Sequence, residues 1–271
     1  MTVMSETIHE LIDIGVNLAH KRFHSDLEQV MARARSAGVT RFIATGTSVP
    51  ASREAHALAL RYPGTVFSTA GVHPHNARQL DAHTIPALRE LAAHPSVVTL
   101  GECGLDYDRD FSPRPIQREC FQAQLALARE LRRAVFLHER AAHADFCAIL
   151  REHASAKLPM VVHCFTGGAR ELEAYLELGA HIGITGWICD DRRGSHLREL
   201  VRMIPEQRLM LETDAPFLIP PRLRSRRKDG RNEPANLTHV LSTVARALDR
   251  SQAEVASLTT ANALRFFWGG A

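Results

Sequence analysis

The chain has 271 residues, 45% of them hydrophobic, and a formal net charge of +3 from 33 Lys and Arg against 30 Asp and Glu, the proportions of a soluble globular protein. No stretch approaches the roughly 18 apolar residues of a membrane span, and Glu6, His9 and Glu10 stand where an export signal needs its apolar core, so a cytoplasmic protein with no membrane partner is expected. The 5 cysteines are odd in number and lack CxxC spacing, which argues against a disulfide framework and for reduced thiols.

In chain order, the first strand-like run is Leu11 to Val16. Ser25-Asp26-Leu27-Glu28 then reads as a capping box that opens a helix with Val30, Met31 and Ala34 inward, ended by Gly38. Further runs follow at Val39 to Thr45, Val66 to Val72 and Val97 to Glu102, and after them Phe121, Leu125, Ala128 and Leu131 make an apolar helical stripe. The remaining runs are Ala134 to His138, Pro159 to Cys164, Ala180 to Thr185 and Arg208 to Thr213, with Leu172 and Leu176 on one helix face before Gly179. A long loop and helical patterns from about Asn236 to Phe267 follow. Each run is short and rich in Val, Ile or Leu, as strands buried on both faces are. The alternation predicts a (β/α)8 TIM barrel of the metal-dependent hydrolase type. Such a barrel needs about 250 residues, so residues 1–271 read as one domain.

Glu102, His138, His163 and Asp214 each stand at the end of a different predicted strand. Active sites of such barrels lie at that end of the strands, and four unrelated buried polar groups there would be costly. These residues are therefore expected to bind a divalent metal, with Asp214 placed to accept a proton from water in a metal-assisted hydrolysis. Cys103 and Cys164 directly follow two of them and should point away as small buried hydrophobes. Arg140 follows His138 by two residues and has the best case for meeting substrate phosphate. Arg192, Arg193 and the run Arg222, Arg224, Arg226, Arg227, Lys228 and Arg231 add positive charge that either lines the mouth or is solvated surface. Trp187, after the seventh run, is placed to stack on an unpaired base or to pack beneath its loop.

Seven segments taken in order carry a more specific signal: Asp13-Ile14-Gly15-Val16-Asn17, Gly71-Val72-His73-Pro74-His75, Gly101-Glu102-Cys103-Gly104-Leu105-Asp106, His163-Cys164-Phe165-Thr166-Gly167, Gly183-Ile184-Thr185-Gly186-Trp187, Glu212-Thr213-Asp214-Ala215-Pro216 and Arg231-Asn232-Glu233-Pro234. Together they closely resemble the TatD family of metal-dependent deoxyribonucleases. The likeness covers nearly the whole chain and is strongest to the branch that gives the family its name, through the first segment and Asp190-Asp191-Arg192-Arg193-Gly194. It implies a 3′ to 5′ exonuclease acting in DNA repair or degradation, with DNA, single-stranded or with a free 3′ end, as its partner and no obligate protein partner. Glu102 and Asp214 would be catalytic, Glu102, His138, His163 and Asp214 would hold metal, and His73 and His75 would lie near substrate phosphate. The resemblance implies magnesium (Mg2+), whereas imidazoles with carboxylates suit zinc (Zn2+), manganese (Mn2+) or cobalt better.

One position departs from the broader family. Many relatives carry a His-x-His pair on the first strand, where this chain has Gly15 and Asn17. One firm metal position is therefore expected, with a second ion weak, substrate-assisted or missing, and histidines restored at both positions should add a metal if the cavity has room. Two rivals remain from the residues alone. A metal-dependent amide or ester hydrolase of the same fold would lack the basic mouth, and a nucleic-acid-binding protein with a degenerate site would lack metal-dependent turnover.

Overall fold

The computed structural model describes residues 9–153, 158–224 and 230–269. Eight parallel strands stand in sequence order around a nearly closed barrel: β1 Leu11–Val16, β2 Val39–Ala44, β3 Val66–Ala70, β4 Val97–Asp106, β5 Val135–Arg140, β6 Met160–Val162, β7 His181–Ile184 and β8 Leu209–Leu211. Every neighbouring pair from β1–β2 to β7–β8 forms a parallel ladder. The seam between β8 and β1 is stitched at the mouth, where Asp214 N donates to Gly15 O at 2.8 Å and Asn17 N to Ala215 O at 2.7 Å.

Side-chain alternation divides the apolar residues between two cores. Ile12, Ile14, Ile43, Val98, Phe136, Val161 and Met210 fill the barrel together with Ala263 and Phe267 of the last helix. The other face of the strands packs on the surrounding helices in a larger cluster. The helices are α1 Leu27–Ser36, α2 Val49–Arg61, α3 Thr84–Ala92, α4 Arg114–Leu131, α5 His143–His153, α6 Ala169–Glu177, α7 Leu197–Leu200, α8 Pro221–Arg224, α9 Leu237–Leu248 and α10 Gln252–Trp268. Of the stripe expected on α4, Phe121, Leu125 and Ala128 are buried and Leu131 only partly; on α6 Leu172 is buried and Leu176 partly. Gly38 and Gly179, at φ of 91° and 87°, take the left-handed turns that follow α1 and α6.

Three local expectations need correction. The capping box before α1 does not form: Asp26, not Ser25, is the N-cap, and its side chain makes no cap bond because its carboxylate holds Arg231 and Arg33. β4 does not end at Glu102 but continues to Asp106, with a register shift against β5 between Gly101 and Cys103. β8 stops at Leu211, three residues before Asp214. No helix among the described residues is long and apolar enough to cross a membrane.

Candidate active site at the barrel mouth

The C-terminal ends of the strands surround a cleft of about 830 Å³ whose lining includes Glu102, His138, His163, Asp214, His73, His75, Arg140 and Trp187. The expected site residues therefore converge, although their strand positions differ from the sequence reading. Glu102 sits inside β4 at the register shift and His138 inside β5. His163 follows β6, and Asp214 follows β8 with a left-handed backbone at φ 52°.

Glu102 is the centre of the arrangement. Its Oε1 lies 2.7 Å from His163 Nε2, 2.9 Å from His138 Nδ1 and 3.2 Å from His73 Nε2. Burial pushes its carboxyl up, but the surrounding imidazoles outweigh this and hold it well below the usual carboxylate range. Burial also drives the His73 imidazole down to about 4, against the pull of Glu102. For His163 the balance reverses, because Glu102 and Glu212 overcome burial and raise it well above its ordinary value. Burial pushes Asp214 up to about 7, partly opposed by His163 and reinforced by Glu102 and Glu212. Its Oδ1 accepts a bond from Asn17 Nδ2 at 3.0 Å, so the amide just past β1 orients this carboxyl.

The donor set fits a divalent cation. Ligand atoms of His73, Glu102 and His138 lie within 4.8 Å of one another. His138 Nε2 is buried and makes no well-formed hydrogen bond, its nearest partner being Asp106 Oδ2 at 3.5 Å, which leaves room for a ligand between the two. His73 enters this candidate cluster directly, whereas the sequence reading placed it near substrate phosphate.

Sequence reasoning passed over two carboxylates. Asp106, at the end of β4, pairs with His75 at 2.6 Å and sits on the same strand face as Glu102 by even spacing, a signal already present in the motif that contains both. Glu212 is fully buried; its Oε2 lies 3.3 Å from His163 Nδ1 and its Oε1 accepts from Cys164 N. It also fills the space beside the first strand. A Cβ on Gly15 would lie 2.2 Å from Glu212 Oε2, and one on Gly183 would lie 2.5 Å from Glu212 Oε1. The room assumed for a histidine at position 15 is therefore taken by a carboxylate that supports His163.

The basic residues separate into distinct roles. Arg140 lines the cleft, where Thr166 Oγ1 accepts from its Nη1 at 2.6 Å. Arg193 is outside the cleft lining; it pairs with Asp190 at 2.9 Å and lies 4.3 Å from the centre of the Trp187 ring, on which Arg140 also rests at 5.5 Å. Trp187 is thus a cleft wall gripped by two guanidiniums, combining the packing and lining roles. Arg231 corrects the reading of the basic run: it is buried among Asp26, Glu233 and the Phe23 ring and offers nothing to the mouth. Arg226, Arg227 and Lys228 lie outside the described residues. Cys103 is buried as expected, whereas Cys164 lines the cleft because its backbone is turned to φ 47° to reach Glu212.

Residues 12–268 match the family model described as TatD related DNase. The chain is 49% identical over 257 residues to a protein of Pantoea vagans named 3′-5′ ssDNA/RNA exonuclease TatD, covering 95% of this chain and 99% of that one. A protein of the same name from Klebsiella pneumoniae is 50% identical over 235 residues, covering 87% and 89%. Among solved structures, the TatD homolog YJJV of Escherichia coli K12 superposes with a TM-score of 0.88 at 27% identity, over 96% of this chain and 99% of that one.

Proposed function

From a chain that belongs to the TatD-related DNase family, we infer an exonuclease that removes nucleotides from the 3′ end of single-stranded DNA or RNA, using a divalent cation held by His73, Glu102 and His138 with His163 and Asp214 beside them. It is a hydrolase acting on nucleic acids. The observation that carries the metal assignment is the Glu102 carboxylate oxygen ringed by three imidazoles, with the unbonded Nε2 of His138 turned toward Asp106 on the other side of its ring. A bound cation supplies Lewis-acid character and neutralises phosphate charge. The nitrogen-rich donor set suits Mn2+ or Zn2+, and Mg2+ fits through the carboxylates and retained waters.

The chain's own groups supply the rest. Trp187, stiffened by Arg140 and Arg193, offers a face to the terminal base, a contact open only to an unpaired strand. Arg140, steadied by Thr166, meets the phosphate, and His75, fixed by Asp106, stands at the same mouth. Water attacks phosphorus while the P–O3′ bond breaks; Asp214, held in place by Asn17, takes the proton of that water, and solvent protonates the departing O3′ oxygen. The RNA reading comes from the relatives' names and extends the DNA-only expectation.

An assay with single- and double-stranded DNA and RNA, labelled at either end and run with EDTA, Mg2+, Mn2+ or Zn2+, tests this reading. Mononucleotides should leave from the 3′ end of single strands, only with metal. Equal rates in EDTA, or no cleavage with any of these ions, would overturn it.

A further inference from the structure

A second cavity, of about 450 Å³, lies outside the active-site cleft. Its lining includes Arg198 from α7, Arg222 from α8 and Arg246 from α9, with His239 and one carboxylate, Asp191. Two of these arginines are already oriented. Arg198 Nε donates to Ile188 O at 3.0 Å and its Nη2 to Asp191 Oδ1 at 2.6 Å, while Arg246 donates to Ser242 Oγ at 3.1 Å and Thr243 Oγ1 at 3.3 Å. Arg222 has no hydrogen-bond or ion-pair partner among the described residues and is left to meet a ligand. Burial pushes the Cys189 thiol on the cavity wall up, opposed by its bond to Thr243 and by the charges of Arg198, Arg246 and Arg222. Convergent positive charge in a concavity of this size, edged by the hydroxyls of Ser242 and Thr243, matches a phosphate better than any neutral group.

The cavity stands back to back with the cleft. The short turn Gly186–Cys189 sends Trp187 into the cleft and Cys189 into the second cavity. The segment after β8 divides in the same way, Leu218 lining the cleft and Pro220 and Arg222 the cavity. The basic run that fails to reach the active site through Arg231 thus delivers Arg222 here.

We propose that this cavity is a second anion site, which takes a phosphate carried on a nucleotide-sized ligand. Two sources share that chemistry: a free nucleoside monophosphate, and the backbone of a strand whose end occupies the cleft. The site stands on its own lining, and only the strand source rests on the nuclease reading.

The test is calorimetric titration of the full-length protein with adenosine monophosphate and, separately, with a short oligothymidylate carrying cleavage-resistant phosphorothioate linkages. Wild type is compared with Arg222→Ala/Arg246→Ala, whose side chains are exposed, and with Arg140→Ala in the cleft. Losing charge-assisted bonds should weaken binding about tenfold. Weakened binding of the monophosphate in the double variant, with little change in Arg140→Ala, supports the site and identifies the free nucleotide as ligand. Weakened binding of the oligonucleotide alone supports the site as a strand contact. Unchanged affinity of the double variant for both ligands overturns the proposal. A protein that binds phosphate here yet cleaves nothing would defeat the nuclease reading and leave this one standing, and cleavage with unchanged binding would do the reverse.

Discussion

At the scale of single residues, Glu102 and Asp214 differ in what surrounds them. Glu102 is ringed by imidazoles that keep it ionised, whereas half-buried Asp214 stands near Glu102 and Glu212 with His163 opposing them, and accepts one bond from the Asn17 amide. Glu102→Ala and Asp214→Ala should each lower turnover at least about a hundredfold, the ordinary loss for a group engaged in proton transfer or charge stabilisation, while circular dichroism stays native. A folded variant with wild-type turnover would remove that residue from the mechanism. Gly15→His carries the opposite expectation from the sequence reading, because its Cβ would lie 2.2 Å from Glu212 Oε2. Alone it should lower the melting temperature and add no metal, since displacing Glu212 strips His163 of a partner. Paired with Glu212→Ala, it should recover part of that melting temperature. A single variant that binds an extra ion in titration of the chelator-stripped protein would show that Glu212 yields its place.

Elements explain which parts of this arrangement were legible before the fold was known. All eight strands were readable because each is a short run dominated by apolar residues, the consequence of burial on both faces over most of its length. Their ends were less readable. β4 runs past Glu102 because Gly104 and Leu105 continue the ladder with β5, and a run of small and apolar residues does not mark where pairing stops. The convergence of Glu102, His138, His163 and Asp214 on one cleft was legible from their chemistry, but Glu212 was not, since a carboxylate within an apolar run gives no sign of the glycines that make room for it. The β1–β8 seam was likewise invisible. There Asp13 takes the place of ladder pairing by accepting from Thr213 N at 2.9 Å and from its hydroxyl. Burial pushes Asp13 up to about 8, so the folded protein holds a proton that the unfolded chain releases near pH 4. Its contribution to stability is full below pH 4 and declines as pH rises toward 8, by at most about 1.4 kcal/mol per pH unit. Urea unfolding at several pH values should show a shallower decline for Asp13→Asn, which mimics the protonated form. Parallel curves for the two proteins would mean that Asp13 is ionised in the seam.

Over the whole molecule, the barrel interior connects a structural end to a chemical one. Phe267, at the α10 end of the interior cluster, and Phe136, directly beneath the cleft, are both largely buried aromatic rings in the same core. They differ in what they touch. The Phe136 ring centre is 4.7 Å from that of His163, and its edge also crowds the position of a Cβ on Gly15, so it is the floor on which the site rests. Phe267 packs with its neighbours Phe266 and Trp268 instead. Truncation of either ring to alanine should cost about 3–5 kcal/mol, because each leaves a cavity in a packed interior. Turnover should separate them. At a temperature where both variants are folded, Phe267→Ala should keep wild-type kcat, while Phe136→Ala should lose it several-fold, because His163 can tilt into the space left below and draw away from Glu102, 2.7 Å from its Nε2. If both variants turn over like wild type, Glu102 and Glu212 alone fix His163 and the core contributes stability only. If both lose activity equally, the interior transmits strain along its full length, and the division between a stabilising end and a chemical end does not hold for this barrel.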